Sequence, residues 1–180
     1  MKSKITEDIP TFIRDTREHD GKGWKWKAVR GVSAGTVTKK LDYGDYSVEG
    51  LENIVAIERK GSASELMSNL LTKDRGRFIK EIEKLAKFPY SFIVCEFSLS
   101  DLRSCIGLIP KNKRKYFSFD KIIGSISSIM IKHKVPFIFA GKNKERTRKG
   151  RTYKFSPGKD LSRKLLIKAH KYYLMEKIKK

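Results

Sequence analysis

The stretch Gly44-Asp45-Tyr46-Ser47-Val48-Glu49-Gly50-Leu51-Glu52-Asn53-Ile54-Val55-Ala56-Ile57-Glu58-Arg59-Lys60 decides the reading of this chain. Asp45 to Val48 is strand-like, and Glu49-Gly50 begins a turn. Ile54 to Ile57 runs apolar, as strands buried on both faces do. A hairpin centred near Leu51-Glu52 sets Val48 opposite Val55 and Asp45 opposite Glu58. Directly opposed side chains leave one face about 5 Å apart. Two carboxylates that close repel unless a cation joins them or one is protonated. A hard divalent ion such as Mg²⁺ or Mn²⁺ answers that conflict with oxygen ligands. Lys60 lies two residues beyond Glu58, so it returns to the same face. There it can orient a water or neutralise a phosphate, while a metal polarises the phosphoryl oxygen. Arg59 points to the opposite face, where packing or an ion pair is expected of its side chain and its carbonyl lies beside the site. A slip of one residue in register would separate the acids.

Working outward, Pro10 to Arg14 reads as a short strand ending at Asp15, followed by a long loop with Gly21, Gly23, Gly31 and Gly35. Thr36 to Leu41 alternates like a strand, so the early strands are expected to form a meander. Ser62-Ala63-Ser64-Glu65 has the capping-box pattern ahead of a helix with Leu66, Met67, Leu70 and Leu71. Asp74 is a candidate cap for a second helix carrying Phe78, Ile82 and Leu85 at helical spacing. Tyr90 to Cys95 is a second buried strand ending at Glu96. Ser98 or Ser100 can cap a short helix, and a longer one runs from about Phe119 to Lys132. Val135 to Ala140 is a strand, 142–154 a basic loop, and a last helix spans about 159–178. Strands that alternate with helices imply layered α/β architecture with a mixed sheet.

The chain has 180 residues with 41 Lys+Arg against 20 Asp+Glu, a formal net charge of +21. That length suits one domain, here the whole of 1–180, with a core over about 10–141, a basic loop over 142–158 and the terminal helix. The charge attracts nucleic acid. No apolar run reaches spanning length, so a membrane is not expected. Met1 to Asp8 lacks a signal-peptide core, which suits cytosol, or the nucleus where the source has one. Cys95 and Cys105 offer neither a zinc cluster nor a redox pair. Cations for DNA are Lys111, Lys113, Arg114 and Lys115 in one loop, and Lys142, Lys144, Arg146, Arg148, Lys149 and Arg151 in the next. Trp24 and Trp26, interleaved with Lys25 and Lys27, can stack on bases or pack, with packing favoured for at least one. His19, His133 and His170 read as surface groups. The isoleucines of the Phe119–Lys132 helix suit a core or a dimer contact.

Gly44-Asp45-Tyr46 and Ile57-Glu58-Arg59-Lys60 resemble the G-D-Y and V-E-R-K signature of XPF-type structure-specific nuclease domains. Asp15-Thr16-Arg17-Glu18 resembles the upstream D-x-R-E of that family. Arg75-Gly76-Arg77-Phe78, Ile93-Val94-Cys95-Glu96 and Val135 to Gly141 extend the likeness over roughly Phe12 to Gly141, closest to small stand-alone phage and bacterial members. The resemblance implies a restriction-endonuclease-like fold, three α/β/α layers around a central mixed sheet. It implies Mg²⁺- or Mn²⁺-dependent cleavage of DNA near flaps, forks or junctions, as in repair and recombination. It implies Asp15, Asp45, Glu58 and Lys60 as the catalytic set, with Asp45, Glu58 and Asp15 on the metal and Arg17, Glu18 and Arg59 in support. A homodimer or a partner subunit is also implied. The family's aspartate after E-R-K falls here at Ser64 or Glu65, and Glu65 has its own explanation as a capping acid. The family's helix-hairpin-helix pair is not evident, which leaves the 142–154 loop to grip DNA. Alternatives are a non-catalytic DNA-binding or dimerisation module of the same fold, and a Holliday-junction resolvase or restriction-type enzyme.

Overall fold

The computed structural model describes residues 9–18, 21–109, 117–148 and 150–179. Six strands form one sheet: β1 (Thr11–Arg14), β2 (Gly35–Thr38), β3 (Tyr46–Val48), β4 (Val55–Lys60), β5 (Tyr90–Cys95) and β6 (Phe137–Phe139). Their order is β2-β1-β3-β4-β5-β6. β1 pairs with β3, and β3 with β4, antiparallel; β4 with β5 and β5 with β6 are parallel. The sheet is therefore mixed, as expected. The expected meander is corrected in one respect. β2 sits outside β1 and runs parallel to it. A parallel return needs a long crossover, and the loop after Asp15 supplies the length.

Alternation along β4 assigns its residues to two layers. Ala56 joins a core with Leu66, Phe78, Ile82, Leu102, Ile122 and Ile126, from α1 (Ala63–Leu71), α2 (Arg75–Leu85), α3 (Leu99–Gly107) and α4 (Phe119–His133). Val55 and Ile57 join the opposite core with Trp24, Trp26, Tyr46, Leu166 and Ala169. The last two belong to α5 (Pro157–Ile178), which completes the third layer. Each apolar side chain fully buried this way contributes about 1.5–3 kcal/mol.

Helix starts follow the sequence in part. Ser62 accepts from the Glu65 N–H, and Ser98 forms a complete capping box with Asp101. Asp74 makes no side-chain cap: its backbone is already helical, and its carboxylate lies 3.7 Å from Arg77. α5 begins at Pro157, earlier than expected, because proline suits the first helical turn. Of the α4 isoleucines, Ile122, Ile126 and Ile129 are core, whereas Ile131 is exposed. His170 is buried rather than on the surface, since α5 packs against β3, β4 and β5.

The basic loop is in fact a two-stranded ribbon, β7 (Lys144–Arg148) and β8 (Arg151–Phe155), exposed throughout. Gly150 takes a positive φ in its turn. The cations Lys111, Lys113, Arg114, Lys115 and Lys149 lie outside the described residues.

Candidate active site

Gly44 brings Asp45 to β4. Its φ is +74°, and a Cβ there would meet the Ile57 carbonyl at 3.2 Å and Ala56 at 3.3 Å. Only glycine fits that close approach without strain. Tyr46 pairs with Ile57, the expected register. The Asp45 N–H also donates to the Ile57 carbonyl, 2.8 Å away. The Asp45 carboxylate in turn accepts from the Arg59 N–H at 2.7 Å. Tyr46 packs inward, stacked on Trp24, and its hydroxyl accepts from the Trp24 N–H at 2.6 Å.

Asp45 and Glu58 line one cleft of about 350 Å³ with Arg17, Asp42, Tyr43, Glu81 and Lys84. Burial pushes the Asp45 carboxyl well above the usual carboxylate range, and the Glu58 charge pushes it further. Burial also raises Glu58, against the opposing pull of Lys60. The Lys60 ammonium lies 2.8 Å from Glu58 and 3.5 Å from Glu65. It also sits 5.0 Å from the centre of the Phe78 ring. Burial disfavours its charge, but Glu58 more than compensates and holds it protonated. Glu65 does not close the capping box. It accepts from the Gly61 N–H at 3.1 Å and leans toward Lys60.

Asp15 stands apart from this open pair. Its carboxylate is buried, accepting from the Arg17 N–H and Nε at 2.7 Å each, and from the Leu41 N–H at 2.6 Å. Burial alone would raise its pKa; the hydrogen bonds from Arg17 and Leu41 bring it below the ordinary value. The acid thus holds Arg17, which is itself within electrostatic reach of Asp45 and Glu58.

The other face of β4 carries Arg59. Its Nε donates to Glu96 at 2.9 Å and its Nη1 to Glu18 at 2.7 Å. The guanidinium lies 5.6 Å from the Trp24 ring centre. Burial works against the charge, but Glu96 and then Glu18 outweigh it and raise the pKa. The Trp24 indole donates to Glu96 at 2.7 Å, and the Trp26 indole to the Lys159 carbonyl at 3.2 Å. Both indoles are buried and hydrogen-bonded, so neither stacks on a base. Glu96 ends a buried strand, and a charge in that position is the sequence signal that it needs a cation.

The model of the ERCC4 domain matches residues 14–148. The chain belongs to this family. It groups XPF-type nuclease domains of restriction-endonuclease-like fold, which act on DNA and are generally metal-dependent. The match begins at the end of β1 and ends with β7, so it covers every element of the cleft. No curated protein and no solved structure matches the chain significantly. Among the described residues no helix is long and apolar enough to cross a membrane.

Proposed function

We propose that this ERCC4-domain protein is a divalent-metal-dependent endonuclease that cuts DNA at flaps, forks or junctions. The observation that carries the reading is the buried acid pair. Asp45 and Glu58 face one cleft, and both carboxyls are driven toward protonation by burial, with the Glu58 charge adding to the effect at Asp45. Charge-destabilised oxygen donors fit Mg²⁺ or Mn²⁺. Among the described residues no group of three or more acids, histidines or cysteines is disposed around one point. Asp45 and Glu58 would therefore hold the ion as a two-carboxylate site, with water, phosphate and backbone oxygens completing it. The ion supplies Lewis-acid polarisation of the phosphoryl group and a water of lowered pKa.

The chain's own groups have separate tasks. Lys60, kept protonated by Glu58, presents an ammonium beside the acid that neutralises phosphate charge or orients water. Arg17, half-free at the cleft mouth and fixed by Asp15, offers a planar donor to a phosphate oxygen. Asp15 acts as the holder of Arg17 rather than as a metal ligand. Glu65 steadies Lys60. Glu18 and Arg59 fix the back of β4 and act through position alone. The net charge of +21 draws the polyanion in. The test is cleavage of labelled flap, fork, four-way-junction and duplex DNA with Mg²⁺ or Mn²⁺. Metal-dependent cutting of a branched substrate that disappears in Glu58→Gln is expected. Wild type inert on every substrate would overturn the proposal.

A further inference from the structure

The β7–β8 ribbon sorts its side chains by kind. Lys144 lies opposite Phe155, Arg146 opposite Tyr153 and Arg148 opposite Arg151; Glu145 lies opposite Lys154 and Thr147 opposite Thr152. Opposed residues leave the same face, and neighbours along a strand leave opposite faces. One face therefore carries four cations and two aromatic rings. The other closes on itself. Lys154 is 3.4 Å from Glu145, and the Thr147 and Thr152 hydroxyls are 3.2 Å apart. Among the described residues, none of the four cations on the first face has a carboxylate partner. Tyr153 is 54% exposed and Phe155 50%, on a ribbon that forms a sheet of its own. At the ribbon's base Lys142 is tied to Asp101 across 2.6 Å.

We propose that this face binds a single strand of DNA, with Lys144, Arg146, Arg148 and Arg151 along the phosphates and Tyr153 and Phe155 each under a base. The choice of DNA rests on the nuclease reading above. Charge complementarity favours a polyanion, and the aromatic pair favours unpaired bases. Paired bases hide their faces in the stack, whereas a splayed strand offers one to each ring. Residues two apart on a strand are separated by about 7 Å, roughly twice the 3.4 Å per-nucleotide rise of a stacked strand. Each ring thus has room for its own base. The ribbon would thereby read the unpaired arm of a branched substrate, separately from the cleft at β3 and β4.

The test is binding of labelled oligothymidylate, and of a duplex of equal length, in EDTA so that cleavage does not intervene. Tyr153→Ala with Phe155→Ala is expected to weaken oligothymidylate by tenfold or more, and duplex by under about threefold. Replacing the four cations with serine is expected to reduce the salt slope for the single strand by about 3. Glu145→Ala with Lys154→Ala, neutral in sum and on the other face, should leave binding unchanged. Tyr153→Trp should be quenched by oligothymidylate, since the native indoles are buried. Equal or absent effects of the aromatic pair on both DNAs would overturn the proposal. So would tighter binding of oligouridylate, or a dimer that the aromatic pair merely dissociates. The two readings fail separately. Ring-dependent binding in a protein that never cuts leaves the ribbon standing, and cutting with ring-independent binding leaves only the nuclease.

Discussion

The two faces of β4 hold the same kinds of residue and treat them in opposite ways. On one, Arg59 has two carboxylates and an indole beside its guanidinium. On the other, Asp45 and Glu58 share a cleft, the Lys60 ammonium pairs with Glu58, and both carboxyls are pushed upward. Neighbouring charges that satisfy one another build the scaffold. Acids held close and under-compensated, in a cleft, mark where chemistry is placed. Arg59 also links the two faces, because its backbone N–H fixes Asp45 while its side chain locks the back layer.

The largest expected effect is on catalysis. Glu58→Gln should lower cleavage on the order of 10³-fold or more, since it removes an anchor for several kcal/mol of metal assistance. A matching loss in Glu18→Gln would erase the difference between the faces. Next comes stability. Arg59→Ala leaves the half-buried Glu18 and Glu96 without their cation and should cost about 3 kcal/mol in urea unfolding. Lys60→Met should spare stability more than that, because Glu58 can take up a proton.

A smaller effect concerns pH. A carboxyl raised in the folded state favours folding below its ordinary value and loses that contribution as pH rises through the raised one. Metal-free protein should therefore lose stability upward from about pH 4 on account of Asp45 and Glu58. Asp45→Asn, whose amide oxygen can still accept from the Arg59 N–H, should flatten that slope and raise the melting temperature at neutral pH. Thermal melts across pH in EDTA check it. A steeper slope in the variant would contradict the account. The smallest effect is at the hydrogen bond behind the sheet. Trp24→Phe removes the donor to Glu96 and should cost about 1.5–3 kcal/mol. Under 0.5 kcal/mol would mean that Arg59 alone satisfies that acid.

Much of this was legible in the residues. The hairpin register followed from the apolar run before Glu58, and period-two alternation set Lys60 and Arg59 on opposite faces. What the sequence could not convey was occupancy. Asp15 looks like a ligand in its motif, and nothing in that motif shows that Arg17 and the Leu41 N–H donate to its oxygens. The place of β2 was hidden because strand order depends on where a long loop returns, and local pattern carries no trace of that. The ribbon was hidden for a different reason. Its first strand has no apolar residue, so the apolar alternation that announces a strand is missing there, and the Tyr153 and Phe155 spacing in the second was the only hint. Packing is the favoured reading of the sequence for at least one of Trp24 and Trp26, and Tyr46 and α5 explain why both are core.

The most direct test of the central claim is Mn²⁺ binding measured by calorimetry without DNA. The account predicts that the wild type and Glu18→Gln bind alike, while Asp45→Asn and Glu58→Gln lose the site. Binding by either of those two variants at wild-type strength would contradict it.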